Sequence, residues 1–147
     1  MYISQQYEAD FYGWTQEQIN LLENQQWDKL DTLNLIEEIA TLGRRERQEL
    51  RNGLGLLLGH LLKWQFQSEK RSNSWLGTIR EQRVQIKFLL QDSPSLKPYL
   101  NAVFADAYEL ALALAIRETQ FDEQVFPEIC PYTPEKILNP DFLAELN

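Results

Sequence analysis

The chain has 147 residues, enough for one domain with a real core. Apolar residues make up 44% and charged residues 24%, a globular composition that argues against general disorder. One cysteine, Cys130, excludes an intrachain disulfide, and the net charge of −8 is unevenly spread. Residues 1–43 carry eight acids and one base, residues 44–97 eleven bases and five acids, and residues 98–147 nine acids and two bases. A basic middle between acidic ends reads first as internal charge complementarity with solvated faces. A basic patch for a polyanion is the sharper alternative, opposed at long range by the acidic flanks.

In chain order, "YEADFYGW" reads as an aromatic arm packed on the body. Thr15 followed by Gln18 predicts a capping box that opens a short helix, "QEQINLLENQ". Asp31 or Thr32 then caps a second helix. Leu33, Ile36, Ala40, Gly43, Leu50, Leu54, Leu57, Leu61 and Trp64 repeat at steps of three and four, interrupted only by Arg47. Phase held across Gly43 predicts one helix over 32–67, about 36 residues and about 54 Å long, with a break at "LGRRE" as the alternative.

"SEKRSNS" reads as a polar connector in which Ser72 to Ser74 cap a third helix, from about Trp75 to Gln91. Its stripe is Leu76, Ile79, Arg83, Ile86 and Leu90, with Val84 and Phe88 beside it. "DSPSLKP" starts a fourth helix with Leu96, Leu100, Val103, Ala107, Leu110 and Leu114, ending near Thr119. In the proline-rich tail, Thr133–Pro134 and Asn139–Pro140 cap two short turns, and Phe121, Phe126, Ile129, Tyr132, Ile137 and Leu138 call for burial. The fold expected over 1–147 is a single all-α domain. It is an antiparallel helical bundle with one very long central helix, an aromatic N-terminal arm and a short-helix C-terminal tail.

One histidine and one cysteine remove much chemistry. A multi-histidine zinc site or a Cys₄ cluster cannot be assembled in the monomer. The residue three before His60 is Leu57, so the Glu-x-x-His of di-iron bundles is missing. No phosphate loop and no G-x-S-x-G occurs. No catalytic residue, metal or cofactor is therefore expected, and an enzyme is the disfavoured class. "MYISQQYEAD" has no apolar signal region, and the longest near-apolar run, "LGLLLGHLL", is too short for a bilayer. A cytoplasmic location follows by default, without a membrane partner.

The candidate polar cluster is His60, Arg80, Arg83, Lys63, Trp64, Trp75, Asp10 and Glu37. His60 lies on an apolar helix, as a core histidine bonded to a carbonyl or carboxylate, or as a ligand in an inter-helix pocket. Glu37 and Glu38 are about 33 Å away along a straight helix, too far to share a site with it. Arg83 occupies a seam position and requires a carboxylate or carbonyls, either as a register-fixing ion pair or as an anion site. Lys63, Trp64, Trp75 and Arg80 interleave bases and aromatics near one turn, which caps a core or stacks a ligand.

The stretches "YEADFYGWTQEQ", "LNLIEEIATLGRRERQEL", "LLLGHLLKWQFQ", "SWLGTIREQR", "DSPSLKP" and "FPEICPYTPEKIL" together resemble a bacterial, notably cyanobacterial, family, the "domain of unknown function 29". The resemblance spans nearly the whole chain and implies a small helical protein standing alone as one domain. It implies no activity. Its motif residues here are Asp10, Trp14, Glu37, Glu38, His60, Lys63, Trp64, Ser74, Trp75, Arg80, Arg83 and Pro131. The function expected is a non-enzymatic, oligomeric interaction module, with a second copy of itself or another protein as partner. A small-ligand or metal-binding bundle is the alternative, using His60 with Arg80 or Arg83 and an acidic residue such as Asp10. RNA or polyanion binding through the basic middle ranks last.

Overall fold

The computed structural model describes residues 4–146, and among them every regular element is helical. Six α-helices follow in order: α1 Gln6–Ala9, α2 Phe11–Glu23, α3 Thr32–Phe66, α4 Asn73–Asp92, α5 Tyr99–Thr119 and α6 Pro134–Ile137. Short 3₁₀ turns lie between them, and a longer one spans Pro140–Leu146. The long helix is continuous through Gly43, as its unbroken apolar phase requires. Contacts divide the chain into two compact units, 1–45 and 46–147, with α3 running through both.

In the first unit the helix start differs from the expected capping box. Asp10, not Thr15, opens α2, its carboxylate accepting from the Gly13 N–H at 3.1 Å. Thr15 lies inside the helix, where its hydroxyl donates back to the Tyr12 carbonyl. Gln18 is buried and accepts from the Asp31 N–H. The aromatic arm is helical, and Tyr7, Phe11 and Trp14 pack ring against ring. Asp31 is the fastener. Its fully buried carboxylate accepts from the Ser4 N–H, the Trp14 indole and the Asn34 amide, joining α2 to the start of α3.

In the second unit the carboxyl half of α3 is the core. Leu50, Leu54, Leu57, Leu58, Leu61 and Leu62 are fully buried. Gly53 faces Ile86 of α4 while Lys63 reaches Trp75, so α4 runs antiparallel to α3. Gly55 meets Leu110, Gly59 meets Leu114 and Lys63 meets Glu118, so α5 runs parallel to α3 in a constant register. Ser72 caps α4, Thr133 caps α6, and the Asn139 side chain accepts from the Asp141 N–H.

Four expectations about faces change. The glycines of α3 let α5 approach closely at Ala107, Leu110 and Leu114. The buried residues of α5 are Ala107, Tyr108, Ala111, Ala115 and Thr119, and Leu110 is left half exposed. Val84 and Phe88 stand outside the α4 stripe, in solvent. Ile129, expected in the core, is 83% exposed in the extended segment before Cys130. Finally, α5 is long and apolar enough to cross a membrane by length and composition, which uninterrupted runs alone do not reveal. Its inward face is nevertheless occupied by α3.

Candidate functional site

Of the eight candidate side chains, the fold gathers three. His60 and Lys63 lie one turn apart on α3, and Trp75 comes from the first turn of α4. The fourth member, Glu118 of α5, is not among the sequence candidates. Lys63 is 3% exposed, yet its ammonium donates to Glu118 Oε1 at 2.8 Å and stands 4.4 Å from the centre of the Trp75 ring. A buried ammonium with a carboxylate and an aromatic face is compensated on two sides. Arg117 approaches the second oxygen of Glu118 at 3.8 Å.

Electrostatics assign the protons. Burial lowers the His60 pKa below its ordinary 6.5 and the Lys63 charge adds to that, against the Leu56 carbonyl and Glu118. The ring is therefore neutral at pH 7. Its Nδ1 lies 3.0 Å from the Leu56 carbonyl, one turn back, and carries the proton. Burial pushes the Glu118 carboxyl up, but the hydrogen bond and charge of Lys63 outweigh it and hold the group below the usual range. This arrangement can hold a helix interface in register. The Glu118 carboxylate is directed at Lys63 and Arg117, and desolvation pushes the pKa of the half-buried Cys130 thiol up, which favours the protonated thiol at neutral pH.

The remaining candidates lie apart from this cluster. Trp64 lies beneath the Arg71 guanidinium, 5.0 Å from the ring centre, and Arg71 Nε donates to the Trp64 carbonyl. Arg83 is 8% exposed and finds no carboxylate among the described residues. Its Nε donates to the Ile137 carbonyl at 2.7 Å, so this seam arginine ties the C-terminal tail to α4. Burial and the neighbouring Arg80 lower its pKa. Arg83 lies eight residues beyond Trp75, about 12 Å along α4, and its partners differ from those of His60. Arg80 is exposed. Asp10 is a helix cap, and Glu37 pairs with Arg44 on the surface of α3.

Sequence patterning missed Glu118 because it sits outside the apolar stripe of α5. A signal existed: once α3 and α5 are parallel, the glycine register places residue 118 opposite Lys63. Asp31 was legible as a cap but not as a buried fastener. Among the described residues no group of three or more His, Cys, Asp or Glu could hold a metal ion. Of the central bases, Arg44 pairs with Glu37, Arg47 stacks on Tyr99, and Arg71 bonds to the Trp64 and Leu146 carbonyls.

No curated protein and no solved structure matches the chain. A family model, described as domain of unknown function DUF29, matches residues 6–143. That stretch takes in both compact units and every helix named above, and the chain belongs to the DUF29 family.

Proposed function

We propose that the protein is a non-enzymatic interaction module that pairs with a second copy of itself through the amino-terminal half of α3. The supporting observation is a run of exposed apolar side chains. Leu33, Ile36, Ile39 and Leu42 are 46%, 59%, 66% and 59% exposed. Leu33 and Ile36 continue the apolar phase that is buried farther along, and Ile39 and Leu42 extend the exposed apolar surface around the helix. Among the described residues, nine of the fifteen exposed large hydrophobics fall in the first unit, which is less than half the size of the second. Clustered exposed apolar side chains mark an interface.

Charge favours a second copy in antiparallel orientation. Glu37 and Glu38 lie at the middle of this run, and Arg44, Arg45 and Arg47 lie past its end. Antiparallel pairing centred near residue 41 brings these acids beside these bases, and it also opposes the helix dipoles. The Glu37–Arg44 pair within one chain is solvent-exposed on both sides and is readily exchanged for a pair across the interface. Light scattering over a concentration series tests the proposal. A mass rising from one chain to two supports it; one chain's mass at about 200 μM, far above the range of specific pairing, overturns it.

A further inference from the structure

A cavity of about 430 Å³ opens between α4, the turn before α5 and the tail after α6. Arg83, Lys87 and Lys97 supply its polar wall with three positive charges, and Leu90, Leu138 and Pro140 supply its apolar wall. Among the described residues no acidic side chain lines it. We infer that this cavity is a binding site for a small organic anion, with an anionic head on the basic wall and an apolar body on the leucines.

The key residue is Arg83. It is more than nine-tenths buried, and a buried guanidinium without a carboxylate is costly. Its Nε is satisfied by the Ile137 carbonyl, but its Nη2 is buried with no hydrogen-bond partner among the described residues. A native fold seldom leaves such a donor unmet. Arg83 thus has one edge committed to protein, which fixes it against the tail, and one buried donor unmet among the described residues, at the wall of the cavity that it lines. The planar guanidinium suits carboxylate or phosphate oxygens, and Lys87 and Lys97 add charge from the rim. The volume falls within the range of small-ligand sites, about 300–1,000 Å³. The protein's net charge of −8 repels anions at long range, so a pocket bearing only bases stands out against the surface.

Titration with phenyl phosphate, followed by amide NMR, tests the inference. Saturable shifts confined to residues 83–97 and 137–140 are expected, and inorganic phosphate should bind more weakly, since it lacks the body that meets the apolar wall. Benzoate in place of phenyl phosphate separates a carboxylate preference from a phosphate preference; saturable binding of either supports the site. Lys87→Gln with Lys97→Gln, both at exposed positions and safe for folding, should weaken binding about tenfold or more. Arg83→Met should abolish it, but that variant also releases the tail. No saturable binding by either aromatic anion, or binding unchanged in the double lysine variant, overturns the inference. Equal binding of inorganic phosphate overturns the role given to the apolar wall.

Discussion

Lys63 of α3 and Glu118 of α5 are joined at 2.8 Å, and they are unequal partners: the lysine side chain is 4% exposed and the glutamate 38%. Removing the carboxylate leaves a buried ammonium with only the Trp75 face for compensation, whereas removing the ammonium leaves a carboxylate that water reaches. Glu118→Gln is therefore expected to cost about 2 kcal/mol, and Lys63→Met less than half of that. Urea unfolding of both variants checks the order. Equal costs would mean that the pair, not the buried charge, dominates.

His60 has its pKa lowered on folding, so the unfolded chain takes up the proton first as pH falls. The resulting stability is complete above the ordinary value of 6.5 and is lost as pH falls through the folded-state value. Wild-type stability, measured against His60→Gln, should accordingly rise with pH across that window and level off above it. Denaturation midpoints of both proteins from pH 5 to 8 give the slope. A difference that falls with pH would place a cationic histidine in the fold.

The glycines of α3 divide by surroundings. A Cβ at Gly43 meets nothing within 4 Å, while one at Gly55 lies 3.1 Å from Leu110 Cβ and 3.3 Å from the Ala107 carbonyl oxygen. Those neighbours cannot move without shifting α5. Gly43→Ala should stabilise by about 0.5–1 kcal/mol through helix propensity alone. Gly55→Ala should destabilise despite the same propensity gain. Thermal melts of the two single variants decide it, and stabilisation by both would deny the close approach of α5.

Asp31 collects three donors in the first unit, and those hydrogen bonds, against the opposing effect of burial, hold its carboxyl below the ordinary 3.8. Its contribution is present above that value and disappears as pH falls through the folded-state value. Asp31→Ala leaves the Trp14 indole and the Ser4 N–H unmet, at about 3 kcal/mol. Hydrogen exchange should show the loss in α2 and the start of α3, with α4 and α5 little changed. Uniform loss through the chain would show that the two units unfold as one.

Much of the fold is legible in the sequence because helical signals are local. The phase of α3, the serine cap at Ser72 and the threonine cap at Thr133 each act within a few residues. Which face is buried depends on distant partners. Ile36 and Leu57 belong to one repeating stripe, yet the first is exposed and the second sealed. The site divides in the same way. His60 is recognisable as a histidine on an apolar helix, but the carbonyl that satisfies it is one that every helix offers at the preceding turn. Arg83 is recognisable as a charge in a seam. Its partner is the main chain of Ile137, 54 residues away, and no side-chain pattern announces a backbone acceptor.

Sedimentation equilibrium of three proteins tests the pairing most directly: the wild type, Ile36→Glu with Ile39→Glu on α3, and Val84→Glu with Phe88→Glu on α4. All four positions are exposed, so folding is expected to be preserved. The account expects the wild type and the α4 variant to dimerise alike and the α3 variant to remain a single chain. A dimeric α3 variant, or a wild type that stays monomeric, would contradict it.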